Sequence, residues 1–280
     1  MEGNNNGSTW KLLQGETITT LRSMDRHSVH AVITDPPYCS GGLNETRKKQ
    51  APAMGVMYGT HSHDDWFLND NMTTGGLVWM LRELAVEAER LLVPGGSLLC
   101  FTDWRMLPHV APAMESSGLI FRNLVVWDKG NPGLGDGFKP THEMVMHFAK
   151  GKPNFYSKTG SNVIRSKRVP GVQKIHPTEK PAALLGKLLK VVTQPGDTVL
   201  DPFAGSGSCG VACTELGRHF IGIDREKRFL LRATERLEQL SEQLRLIPPE
   251  NSEKGQDGPS NGLTEQTNGT DLHNTTAPNL

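Results

Sequence analysis

Cysteine is scarce and badly spaced for a metal. The four present (Cys39, Cys100, Cys209, Cys213) form no CxxC pair and no Cys/His set, which excludes a zinc ribbon or finger. Cys209 and Cys213 stand four apart in a helical pattern, so buried reduced thiols are expected, not a disulfide. No apolar run approaches the ~18–20 residues that span a bilayer, and the first ten residues lack the basic and apolar regions of a secretory leader. The expectation is an intracellular, cytoplasmic protein with no membrane partner. Net charge is also missing, with 30 basic and 30 acidic side chains. That balance argues against nucleic acid until its distribution is read. Residues 248–280 carry five acids, one lysine and almost nothing to bury, so they read as a disordered tail. The remaining body is mildly basic, at +4, which permits a DNA partner.

What is present is an alternation of short apolar runs and helical patterns. Residues 30–34, 97–102, 124–127, 143–148, 198–200 and 219–223 read as strands. Residues 17–24, 77–93, 107–117, 181–193, 209–216 and 226–244 read as helices. Strands alternating with helices predict an α/β fold, a mostly parallel sheet covered on both faces. The folded domain is expected over 8–247. Within it, residues 39–75 have no periodicity and read as a mobile insert loop. Residues 150–176 are irregular and basic.

Three motifs carry chemistry. Thr198-Val199-Leu200-Asp201-Pro202-Phe203-Ala204-Gly205-Ser206-Gly207 runs from a strand through a glycine turn into a helix, and the next strand ends in Asp224. Glycines there let the backbone approach a cofactor, and the acid can accept from two ribose hydroxyls. The pattern is GxG without a Walker A lysine, so a phosphate-free nucleoside is favoured over a nucleotide. The second motif is Thr34-Asp35-Pro36-Pro37-Tyr38. Its prolines end a buried strand and stiffen a turn that holds a carboxylate and an aromatic ring at the sheet edge. A flipped base needs acceptors for its amino protons and a π-face to stack on. The third is His176-Pro177-Thr178-Glu179-Lys180-Pro181, where Thr178 can cap a helix, Pro181 suits its first turn and Lys180 can meet a carboxylate.

In this chain order the three motifs resemble an amino-type DNA methyltransferase of the permuted β group, acting on N6 of adenine or N4 of cytosine. In that group the catalytic half precedes the cofactor half. The resemblance spans residues 35–224. It implies a Rossmann-like seven-stranded sheet whose antiparallel hairpin matches residues 124–127 and 143–148. S-adenosylmethionine would lie against Phe203, Gly205 and Gly207, with Asp201 in contact, Asp224 on the ribose, and Thr178 and Lys180 near the methionine end. Asp35 and the Pro36 carbonyl would accept the amino protons, Pro37 would stiffen the turn, and Tyr38 would stack on the base. No metal is needed, and His61, His63, Asp64 and Asp65 are read as a polar loop. No Pro-Cys dipeptide occurs, which argues against a cytosine-C5 enzyme. Double-stranded DNA is the implied partner and restriction–modification the implied setting, in a bacterium or phage and on its nucleoid. The resemblance also raises a homodimer, which no residue pattern indicates.

Between hairpin and third motif the resemblance places target recognition. Lys158, Arg165, Lys167, Arg168 and Lys174 lie there in an acid-free stretch with Phe155 and Tyr156, suited to phosphate contacts. Arg47, Lys48 and Lys49 in the insert could share the task. No separate recognition domain is visible, so a short or relaxed target is expected. DPPY accompanies adenine more often than cytosine in such enzymes. Four alternatives stay open: an N4-cytosine enzyme, an RNA substrate, a glutamine N5 methyltransferase (which reverses the motif order), and a non-catalytic binding module.

Overall fold

Ala31 and Ile33 of strand β3 (Val29–Thr34) enter one core while Val32 enters another. This alternation is what a strand buried on both faces requires. The computed structural model describes residues 1–5, 7–37, 73–132, 137–170 and 179–246. All of them belong to one unit, Met1–Ile247. The 39–75 insert up to residue 72 and the 248–280 tail therefore lie outside the described residues.

Among the described residues, one nine-stranded sheet runs β1-β2-β9-β8-β3-β4-β6-β5-β7. Its strands are β1 (Glu2–Asn5), β2 (Ser8–Gln14), β3, β4 (Leu92–Thr102), β5 (Ile120–Asp128), β6 (His142–Ala149), β7 (Val163–Arg165), β8 (Thr198–Asp201) and β9 (His219–Asp224). β2, β9, β8, β3 and β4 pair in parallel, and β6 runs antiparallel between β4 and β5. These seven strands make the expected sheet with its hairpin. Two short edge strands extend it: β1 is antiparallel to β2, and β7 is parallel to β5. β2 was not among the strands expected, although Ser8, Trp10 and Leu12 alternate inward from exposed Thr9 and Lys11.

Helices α4 (Ala182–Val192), α5 (Ser208–Glu215) and α6 (Lys227–Leu246) pack on one face. Helices α1 (Thr17–Arg22), α2 (Thr74–Leu91) and α3 (Leu107–Glu115) pack on the other. α2 starts at Thr73, whose hydroxyl accepts from the Gly76 N–H at 3.1 Å, and buries Leu77, Leu81, Leu84, Ala88 and Leu91 at helical spacing. Its end differs from expectation. Pro94 disfavours helix in the residue before it, and the chain is already extended at Leu92, so β4 begins without a connecting loop.

Among the described residues no helix is long and apolar enough to cross a membrane. No group of three or more His, Cys, Asp or Glu is placed there to hold a metal. Cys100, Cys209 and Cys213 are free and buried, as expected. Cys39 and residues 61–65 lie outside the described residues.

Candidate active site

Because five strands are parallel, their carboxyl ends share one edge, and the order β9-β8-β3 sets Asp224, Asp201 and Asp35 side by side. The first and second motifs, about 165 residues apart, thus open on one cleft. Ile33, Phe101 and Leu185 give it apolar walls. Asp35, Glu179, Lys180, Asp201, Phe203, Gly205, Ser206 and Ser208 supply the rest of its lining together with neighbouring backbone.

The turn after β8 is held from beneath. Asp224 Oδ2 accepts the Gly205 N–H at 2.9 Å and Oδ1 accepts the Glu226 N–H at 2.8 Å. Burial lifts the Asp224 carboxyl above its ordinary range, against the pull of those N–H donors. The Asp224 carboxylate therefore braces the glycine turn. Gly207 is not on the cleft wall. It caps α5 at φ +75°, and a Cβ there would come within 2.9 Å of the Ala233 Cβ on α6. Its glycine serves a left-handed turn and a helix contact.

Asp201 accepts the Phe203 N–H at 3.1 Å and is only 7% exposed. Burial pushes its carboxyl up to about 8, with the charges of Asp35 and Asp224 adding to the rise and the Phe203 N–H opposing it. Glu179 is equally hidden. It accepts from Ser208 Oγ at 3.1 Å and from Arg236 Nη1 at 2.8 Å, and the same guanidinium lies 3.4 Å from the Ser206 carbonyl oxygen.

Lys180 reaches across to the first half of the chain. Its Nζ lies 2.5 Å from Asp35 Oδ2 and 3.2 Å from Glu143 Oε2. The second contact is an ion pair. Lys129 Nζ donates to Glu143 Oε1 at 2.9 Å, and the Phe101 ring centroid is 5.2 Å from the Lys180 ammonium. Burial works against that ammonium, but the two carboxylates outweigh it and its pKa is raised.

Pro36 is buried and Pro37 half-buried beside Asp35. Tyr38, Thr178 and Lys174 lie outside the described residues, and α4 starts with Pro181 as its cap. The basic stretch does not stay together. β6 runs away from the cleft, so Lys150 pairs with Gly96, and Tyr156 N–H donates to the carbonyl of Val191 at the far end of α4. Lys158, two residues on, is thereby left at the amino-terminal edge. The chain then returns as β7, which sets Arg165 opposite Asp128 at the cleft edge, with Lys167 and Arg168 exposed just beyond. Arg165 pairs with Asp128 at 2.9 Å. The expected cluster is thus divided by the antiparallel strand. Glu143, Lys129, Arg236 and Ser208 were not foreseen as site residues, whereas Glu179 lies inside the 178–180 segment expected beside the cofactor.

An open α/β sheet with a cleft at its carboxyl edge, shared by a DPP turn and a glycine turn, defines a Rossmann-like fold with its site at the strand ends. Residues 29–235 match the family model described as DNA methylase, N6_N4_Mtase, and the chain belongs to that family. It is a DNA methyltransferase of the amino type, as the motifs implied. Type II methyltransferase M.HpaI of Haemophilus parainfluenzae is 27% identical over 255 residues, covering 81% of this chain and 74% of that protein. The crystal structure of the M1.HpyAVI–SAM complex is similar at 26% identity and TM-score 0.60, covering 81% of this chain and 98% of that one. The cytosine-N4-specific PvuII DNA methyltransferase shares the fold at 16% identity and TM-score 0.63, over 86% and 93% of the two chains.

Proposed function

We propose that this protein transfers a methyl group from S-adenosylmethionine to the N6 amine of adenine in double-stranded DNA. The observation that carries the reading is the convergence of Asp35 and the 201–206 turn on one cleft. The residues fit the cofactor. Apolar walls suit an adenine ring, and the turn offers backbone and carboxyl oxygens to a nucleoside that carries no phosphate. No Walker A lysine waits for a phosphate. Phe203 and Gly205 would line the cofactor, Asp224 would brace the turn and accept from ribose, and Asp201, Thr178 and Lys180 would border the methionine end.

The cofactor supplies an electrophilic methyl group. This chain supplies position and charge. The target adenine, turned out of the duplex, would present its amine to the Asp35 carboxylate and the Pro36 carbonyl, with Tyr38 stacked on the ring. Accepting the N–H donors directs the nitrogen lone pair along the line of attack. Once the amine has taken the methyl group, Asp35 would accept its surplus proton and pass it to solvent. Catalysis is then orientation plus electrostatics, with no covalent enzyme intermediate. Arg165, Lys167 and Arg168 at the cleft edge would contact phosphates. The Asp that opens the DPPY motif favours adenine; the PvuII likeness, a shared fold, keeps cytosine N4 as the second reading.

The test is transfer of labelled methyl to unmethylated DNA, followed by nucleoside analysis, with Asp35→Ala as control. N6-methyladenine from wild type alone supports the reading. N4-methylcytosine overturns the base, and no transfer to DNA overturns the substrate. Sequencing the product for methylated positions checks the short or relaxed target; one long strict motif refutes it.

A further inference from the structure

Four charges of alternating sign, from four places in the chain, run from behind the cleft wall to Lys180 and Asp35 within it. Lys129 sits just past β5, Glu143 on β6, Lys180 before α4 and Asp35 after β3. The contacts between neighbours are 2.9, 3.2 and 2.5 Å. Lys180 is 7% exposed and lies over the Phe101 ring, so it cannot be the casual partner that a surface lysine would be. Removing either neighbour from such a buried pair leaves an uncompensated charge, and a chain of this kind acts as a unit.

We infer that Lys180 and Glu143 are positioning residues for Asp35: Glu143 holds the Lys180 ammonium, and Lys180 holds the Asp35 carboxylate ionised and aimed. The inference rests on the methyl-transfer reading and changes the part given to Lys180. An ammonium set against a sulfonium would repel it. Against Asp35 it solves a problem that the cleft creates. Asp35 must accept protons as an anion, yet it stands in an apolar wall near a second carboxyl, Asp201, whose own rise Asp35 adds to. Without a fixed cation the carboxylate would take up a proton more readily, and one of its two acceptor oxygens would become a donor. Glu143 completes the arrangement. Held by Lys129 and Lys180 below the usual carboxylate range despite its burial, it keeps the ammonium charged and fixes which way it points. Among the described residues, the groups facing Asp35 include Lys180 from the α4 segment, Glu143 from β6 through that lysine, Asp201 from β8 and the Cys100 thiol from β4, and Lys180 is the cation of that set.

The experiment compares wild type, Lys180→Met, Lys180→Arg and Glu143→Gln across pH, measuring kcat and, separately, S-adenosylmethionine affinity by calorimetry. Lys180→Met should move the acid limb of kcat upward by about one pH unit, so that kcat falls about tenfold on that limb and returns as pH rises above it. Cofactor affinity should stay within twofold, and Lys180→Arg should keep the limb near its wild-type place. Glu143→Gln, nearly isosteric, should lower kcat about fivefold or more with cofactor affinity again unchanged. Tenfold weaker cofactor binding with an unmoved acid limb would make Lys180 a cofactor contact and overturn the inference. Wild-type kcat in Glu143→Gln would overturn the part given to Glu143. Titration of the Asp35 carboxyl by carbon-13 NMR, assigned with Asp35→Asn, reads the pairing without any turnover. An Asp35 titration unmoved by Lys180→Met sinks the inference even if methyl transfer stands, and a moved one keeps it even if the substrate assignment fails.

Discussion

Arg236 Nη1 lies 2.8 Å from Glu179 Oε1, joining the last helix to the third motif across 57 residues. The Glu179 side chain is 2% exposed, and the guanidinium also reaches Ser208 Oγ at 3.1 Å. Arg236 is thus the charge that lets a carboxylate sit beneath the glycine turn. Replacing it by alanine should cost roughly 3 kcal/mol, because the buried carboxylate loses its cation. For a domain of this size that is a fall of roughly 6–12 °C in Tm. A thermal melt of Arg236→Ala within 2 °C of wild type would show that the pair contributes nothing.

Gly207 tests the packing of the same turn. Its φ of +75° and the 2.9 Å approach of Ala233 leave an added Cβ both strained and crowded. Gly207→Ala should destabilise by about 1–3 kcal/mol and weaken cofactor binding by displacing residues 203–206. Equilibrium denaturation and calorimetry on the one variant measure both effects. Unchanged values would mean that α6 yields freely.

Two buried titratable groups give pH dependences of opposite sign. Burial raises Asp201 to about 8, above the ordinary carboxylate value that it recovers on unfolding. The native state therefore binds more protons across that interval, and the contribution to stability falls as pH rises through it. Asp201→Asn, which keeps an acceptor for the Phe203 N–H, should gain stability relative to wild type steadily from pH 5 to 8. His147 is the reverse case. Burial, with Arg122 nearby, lowers it to about 4, and its Nε2 is 3.0 Å from Ser97 Oγ. The unfolded state then binds more protons between about 4 and 6.5, so stability is lost as pH falls through that window. His147→Gln should flatten the acid side of the profile. Urea midpoints at pH 5, 6.5 and 8 decide both, and parallel curves for variant and wild type would contradict the assignments.

The divided basic stretch makes a prediction about DNA. Lys167→Ala with Arg168→Ala should weaken binding to any duplex and lower the slope of log affinity against log salt by about 1–2. Lys158→Ala, at the far edge, should change neither. Filter binding from 50 to 200 mM salt separates the cases, and an equal loss from Lys158→Ala would place DNA on the opposite edge.

Most of the sheet was legible because buried strands and amphipathic helices declare themselves within a few residues. The runs at 30–34, 97–102, 143–148 and 198–200 needed only their own periodicity. β2 went unread although Trp10 and Leu12 alternate correctly, because its pairing with β9 lies more than 200 residues away. β7, three residues long, has too little sequence to show a period, and its partner β5 is what makes it a strand.

By itself the sequence determined the class of fold, the order of the motifs and their meeting at the carboxyl ends of strands, since these follow from local pattern and from parallel pairing. It also marked Asp35, Phe203 and Gly205 as residues of one site. Only the tertiary structure decided that Lys180 and Glu143 attend Asp35, that Arg236 underlies Glu179, that Gly207 faces a helix and that Lys158 parts from Arg165. The physical reason is common to all four. A charge or a contact is satisfied by whatever side chain the packed sheet brings within about 3 Å, and nothing in local periodicity encodes which distant residue that will be.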